Sequence, residues 1–166
     1  MNFVPVIITA IIAFAVVAAV KMIVEYRLKS QVVERKKSTE SIVLPLRLQA
    51  YERMALFLER IEPNQLVMRI HAPGLTVAQE QNLLLTAIRS EFEHNLSQQI
   101  YISSSVWTEI CNAKDDIMEI INTVAEQMDA DTTGQTFAES LLIAASQKPV
   151  VEKALNILKA DMHKML

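Results

Sequence analysis

The hydrophobic positions fall into one unbroken apolar run followed by a series of stripes at helical spacing. The run is Phe3 to Val20 (FVPVIITAIIAFAVVAAV), eighteen residues with no charge and Thr9 as the one polar side chain. At about 1.5 Å per residue it reaches roughly 27 Å, close to the hydrocarbon thickness of a bilayer, so the pattern predicts a transmembrane helix. Met22, Ile23 and Val24 extend it if Lys21 snorkels its ammonium outward. No Lys or Arg precedes the run, and it outlasts an ordinary signal-peptide core, so it reads as an anchor although Ala13-Phe14-Ala15 has cleavage-site character. Thr9/Ala13 and Ala15/Ala19 are small residues four apart, which suit close helix approach as well as plain lipid contact.

Behind the run, residues 21–37 continue as helix, with Lys21/Glu25 and Glu25/Lys29 at i,i+4 spacing. Tyr26 sits where an interfacial aromatic is expected, and Ser38 to Ser41 reads as a polar break. The strongest amphipathic stretch follows, LPLRLQAYERMALFLERI from Leu44 to Ile61, with Pro45 suited to a first helical turn. Leu44, Leu48, Tyr51, Ala55, Leu58 and Ile61 share one side, widened by Leu46, Met54 and Phe57; Arg47, Glu52, Arg53, Glu59 and Arg60 take the other. Pro63 opens a short helix through Ile70, and His71-Ala72-Pro73-Gly74 breaks it.

Thr76-Val77-Ala78-Gln79 is a capping box for a helix expected to reach about Ser97, burying Leu84, Ile88, Phe92 and Leu96. Gln98 to Ser104 reads as a connector. Val106, Ile110, Ala113, Ile117, Ile120 and Val124 then step 4-3-4-3-4, a seam fit for a bundle helix or for a partner. Asp129 to Gly134 is a loop, and Thr136-Phe137-Ala138-Glu139 predicts a second capping box. Pro149 starts the last helix, whose stripe is Val151, Leu155, Leu158, Met162 and Met165. The expected fold is all-α, one transmembrane helix followed by a cytoplasmic bundle of about five or six helices. The expected boundaries are 1–24 for the anchor, 25–40 for a basic juxtamembrane helix and linker, and 41–166 for the bundle domain.

Composition sharpens this picture. Two glycines and a high Met, Leu, Ile and Ala content favour helix over strand. The charge is uneven. Residues 21–37 carry Lys21, Arg27, Lys29, Arg35, Lys36 and Lys37 against Glu25 and Glu34, a net of +4; residues 41–166 carry ten Lys/Arg against sixteen Asp/Glu, a net of −6. The six cations form a membrane collar that, by the positive-inside rule, places the C-terminal domain in the cytoplasm and the N-terminus outside the inner (plasma) membrane. An acidic domain argues against nucleic acid as a partner, because phosphates need a cationic surface. Membrane lipid, another membrane or cytoplasmic protein, or a second copy of the chain are the partners that fit. A single cysteine, Cys111, excludes an internal disulfide and a cysteine metal cluster.

Candidate chemistry is sparse. Asp129-x-Asp131-x-Thr133-Gly134 resembles the start of a calcium loop, but the position that needs a bidentate Glu holds Ser140, so a polar turn is the better reading. Glu91 and His94 make one Glu-x-x-His of the kind di-iron bundles use in pairs. Neither His71 nor His163 has a Glu three residues before it, so the second copy is missing and Glu91/His94 is a weak metal candidate. Cys111 beside Ile110 suits a small core residue better than a nucleophile, Trp107 a core anchor better than an interface, and the eight Met a gap-filling role. There is no glycine-rich phosphate loop, no Ser-His-Asp order and no zinc spacing, so no catalytic residue and no cofactor is expected.

Leu44–Ile61 with Pro63 and Leu66-Val67-Met68-Arg69, Ile88-Arg89-Ser90-Glu91-Phe92-Glu93-His94-Asn95-Leu96, and the Trp107 to Lys114 region carry a resemblance. Together they resemble an uncharacterised family of small membrane-anchored helical proteins from Bacteroidota. That resemblance implies a membrane protein with a cytoplasmic helical domain and brings no functional residues with it. The functional expectation is a membrane-tethered, non-enzymatic accessory or scaffold protein, with Arg47, Tyr51, Glu52 and Arg53 as its possible partner interface. The alternative is a metal-binding or enzymatic bundle using Glu91 and His94.

Overall fold

The computed structural model describes residues 4–129 and 131–165; up to residue 40 the side chains described are those of Phe14, residues 17–27, Glu34 and Glu40. Among the described residues every regular element is helical, apart from one isolated antiparallel bridge between Thr76 and Thr133. The chain divides into two compact units, residues 1–45 and residues 46–166.

The first element, α1, is a single 58-residue helix from Val4 to Ile61. The expected break at Ser38 to Ser41 does not form, because Ser and Thr cost only a few tenths of a kcal/mol each in a helix interior and strong formers flank them. Pro45 lies inside α1 rather than in a first turn, and the boundary between the units falls directly after it.

The structure corrects the transmembrane part of the expected fold, and with it the single-pass inner-membrane localisation. Among the described residues no helix is long and apolar enough to cross a membrane. Among the side chains described there, Phe14, Val17, Val20, Met22, Ile23 and Val24 are exposed, but Lys21, Glu25 and Arg27 stand among and directly after them. Those charges break up the apolar residues described from Val17 to Val24, which by themselves fall well short of the length a span requires. Met1 to Phe3 of the expected span lie outside the described residues, as do the side chains of Thr9, Ala13 and Ala15. Of the collar, Lys21 and Arg27 are exposed, and the side chains of Lys29, Arg35, Lys36 and Lys37 lie outside the described set.

The second unit is the all-α bundle. α2 (Pro63–Ile70) opens with Pro63 at its first position, and Glu62 caps it by accepting from the Gln65 N–H. α3 (Val77–Asn95) starts at the Thr76/Gln79 capping box, with both reciprocal hydrogen bonds formed. A 3₁₀ turn (Leu96–Ile100) leads to α4 (Ser104–Glu126), then α5 (Gly134–Ser146) and α6 (Val150–His163). The Thr136 box does not form. Thr133 is the cap, its Oγ1 accepting from the Thr136 N–H, so α5 begins earlier than its sequence suggests.

α4 is the central helix, packing against α3, α5 and α6. Its buried face is Val106, Ile110, Ala113, Ile117, Ile121 and Val124, with Ile120 only partly buried. From 106 to 124 is five turns at about 3.6 residues, and a straight bundle helix follows that period rather than the 3.5 of a heptad. Tyr51, Met54, Phe57, Leu58 and Ile61 bring α1 into the same core as Leu84, Ile88, Phe137, Leu141 and Leu158. Each such side chain, fully buried, contributes about 1.5–3 kcal/mol.

Candidate functional site

The 3.6-residue period sorts the end of α1 into two faces. Ala50, Tyr51, Met54, Phe57, Leu58 and Ile61 are buried, whereas Gln49, Glu52, Arg53, Leu56, Glu59 and Arg60 are exposed. Leu56 stands out on the outer face, because a leucine 55% exposed is surrounded there by charge. α3 adds Glu91, His94 and Asn95 to a shallow groove of about 340 Å³ that Glu52, Arg53, Leu56 and Arg60 also line.

One wall of this groove is ordered. Arg60 Nη2 meets Glu91 Oε1 at 2.6 Å, and Arg60's backbone oxygen accepts from Arg69 Nη2 at 3.3 Å. The buried Asn95 donates Nδ2 to the Glu91 carbonyl at 2.8 Å. Beneath the groove, Phe57 and Phe92 pack with centroids 5.7 Å apart, and Phe92 stacks on Trp107 at 5.5 Å. Lys114 Nζ lies 5.0 Å from the Phe92 centroid. Trp107 is thus part of the packing at the edge of the core.

The four residues singled out on α1 separate. Glu52 and Arg53 face outward into the groove. Tyr51 is 2% exposed and donates Oη to Asp161 Oδ2 at 2.6 Å, an oxygen that also accepts from Ser103 Oγ at 2.7 Å. Arg47 is half-buried and donates Nε to the Tyr101 carbonyl at 3.3 Å. Burial, then the Asp161 hydrogen bond, pushes the Tyr51 phenol up. The Tyr51 and Ser103 hydroxyls hold the Asp161 carboxyl below its ordinary value. Arg47 and Tyr51 therefore fasten α1 to the segment before α4 and to α6.

Glu91 and His94 share the groove, but Glu91 is engaged by Arg60 and His94 is exposed. Among the described residues no three of His, Cys, Asp and Glu come together to hold a metal ion. Burial pushes the Cys111 thiol up, away from thiolate character. Asp129 and Asp131 are exposed, Thr133 serves as a cap, and Gly134 is buried.

The chain belongs to a family of unknown function, DUF7935. The family model matches residues 1–165, nearly the whole chain. No curated protein and no solved structure matches it.

A second polar feature left little trace in the sequence. Glu80 is wholly buried, with Oε1 2.8 Å from His71 Nδ1 and no protein partner for Oε2. Oε2 lies where a side chain on Gly134 would begin, and the Gly134 N–H donates to the Leu75 carbonyl at 2.9 Å. The carboxylate is therefore set between the C-terminal cap of α2, which is His71, and the first turn of α5, ends whose dipoles favour a cation and an anion respectively. On an acidic chain Glu80 looks like any solvated glutamate, and His71 looks like a turn residue. Asp161 and Ser103 were hidden for the same reason: their partner Tyr51 is far away in sequence.

Proposed function

We propose that this chain is a non-enzymatic accessory or scaffold module that holds a protein partner along the outward face of α1 between Gln49 and Arg60. The observation that carries this reading is Leu56, 55% exposed on a helix whose opposite face is fully buried. Glu52, Arg53, Glu59 and Arg60 form a charged rim around it, the layout of an apolar anchor within a polar border. The net charge of −6 on residues 41–166 makes a protein a better occupant than nucleic acid. We also take the family to be the Bacteroidota one that Leu44–Ile61 resembles.

The test is cross-linking followed by affinity capture of the tagged full chain and of its Leu56→Glu variant from the native cell. A partner recovered with the wild-type chain and lost with the variant supports the reading. Equal recovery from both moves the interface elsewhere and refutes it.

A further inference from the structure

The occupant of the α1 face follows from the order of its charges, an inference that rests on reading that face as a docking surface. Glu52-Arg53 recurs seven residues later as Glu59-Arg60, with Leu56 midway. At about 100° per residue, Glu52 and Glu59 fall about 40–60° to one side of Leu56, and Arg53 and Arg60 about as far to the other. The helix thus presents an acidic edge, a leucine ridge and a basic edge, all on exposed residues. Glu91 fixes Arg60 at the basic edge, yet the Arg60 side chain keeps 52% of its exposure.

We propose that a second copy of this chain occupies the face, its α1 parallel to the first about a two-fold axis along the helix direction. That axis turns the acidic edge of each helix onto the basic edge of the other. Glu52 then stands opposite Arg53 of the second copy, Glu59 opposite Arg60, each pair occurring twice, and Leu56 meets Leu56 on the axis. An antiparallel two-fold keeps each edge on its own side, setting acid against acid and base against base. The charge order therefore selects both the partner and its direction, as e/g charges do in coiled coils. One leucine ridge and exposed ion pairs make a modest interface, so the association weakens as salt rises.

The experiment uses the full chain in three forms: wild type, an acidic form (Arg53→Glu with Arg60→Glu) and a basic form (Glu52→Arg with Glu59→Arg). Circular dichroism establishes that each remains folded; Arg60→Glu gives up the ion pair with Glu91, which the basic form keeps. Sedimentation should show a wild-type dimer, at least a tenfold loss of self-association in each variant alone, and recovery when the two are mixed. Leu56→Cys, with Cys111→Ser, should cross-link across the axis faster than Thr108→Cys in the same background, Thr108 being exposed. A monomeric wild type, or variants that dimerise like wild type, overturns the proposal; the latter includes pairing through exposed Phe14, Val17, Val20, Met22, Ile23 and Val24. If Leu56→Glu still abolishes capture of a different protein, the docking face stands and only the second copy is refuted as its occupant. If Leu56→Glu changes neither mass nor capture, both readings fail.

Discussion

Tyr51 Oη donates to Asp161 Oδ2 at 2.6 Å, joining α1 to α6 across 110 positions of sequence. The same carboxylate oxygen accepts from Ser103 Oγ at 2.7 Å, so one acidic group ties together α1, the approach to α4 and α6. Tyr51 is otherwise a core residue at 2% exposure, and its hydroxyl would cost free energy if buried without a partner. The bundle thus closes around its first core helix with a directional contact as well as with apolar packing.

That contact makes stability depend on acid. The two hydroxyls hold the Asp161 carboxyl below its ordinary value. A carboxylate depressed in the folded state contributes stability that is present above its unfolded value, about 3.9, and lost as pH falls through the folded value. Asp161→Asn should therefore lower the Tm relative to wild type at pH 6–7, and the gap should shrink below about pH 4. Tyr51→Phe should cost about 1–2 kcal/mol in urea melts at neutral pH. Because the Tyr51 phenol is pushed up, its contribution is present below about pH 10 and declines as pH rises through the folded value. Melts of wild type and both variants from pH 3 to 11 check all three expectations.

The choice between Ile120 and Ile121 gives a second prediction. Ile121 is fully buried and Ile120 is not. Ile121→Ala should destabilise by about 2–5 kcal/mol, the range for a core isoleucine, and Ile120→Ala by less than half as much. A larger loss for Ile120→Ala than for Ile121→Ala in denaturant titrations would place the seam on the heptad register instead.

How far the fold could be read from sequence follows from the range of each signal. The Thr76/Gln79 capping box, Pro63 at the start of α2 and most of the α4 stripe are set by neighbours within one or two turns, and each formed as expected. Signals that needed a competing context failed. Ser38 to Ser41 look locally like a helix break and Pro45 like a first turn, yet α1 continues through both. Thr136 scores as a cap, but Thr133, three residues earlier, takes the role. On α1 the period alone placed Glu52, Arg53 and Leu56 on one helix. It also put Tyr51 on the apolar side, but it could not say that Arg47 turns inward or that Tyr51 meets Asp161, because the partners Tyr101 and Asp161 come from distant elements.

The single tryptophan reports on the packing beneath the groove. Phe92 lies between Phe57 and Trp107, with Trp107 stacked on it at 5.5 Å. Phe92→Ala should open Trp107 to water, shift its emission to the red and cost about 3–4 kcal/mol, at the partly buried end of the range for a phenylalanine. Glu93→Ala, an exposed neighbour on α3, should change neither readout.

The buried Glu80 gives the sharpest test of how the turn before α3 is joined to α5. With Oε1 on His71 and Oε2 without a partner, His71 is the only side chain that answers a fully buried carboxylate among the described residues. His71→Ala should cost about 1–3 kcal/mol, because it leaves both oxygens of a buried carboxyl without a protein partner rather than merely deleting a contact. Adding Glu80→Leu to that variant should recover part of the loss, since the stranded polar group is then gone. Gly134→Ala acts on the same spot by another route: its Cβ meets Glu80 Oε2 and stands 2.7 Å from the Leu75 carbonyl, with backbone on one side unable to yield. Its cost should be about 2–3 kcal/mol in the wild type, as for other overpacked sites. Gly74→Ala is the control, with open space around its Cβ and only the strain of a φ of 86°, about 1–2 kcal/mol. Coupling between Gly134→Ala and Glu80→Ala in a double-mutant cycle measures the crowding directly, because truncating Glu80 removes the oxygen but leaves the Leu75 carbonyl in place. Strict additivity there would mean that Leu75 alone fixes glycine at position 134.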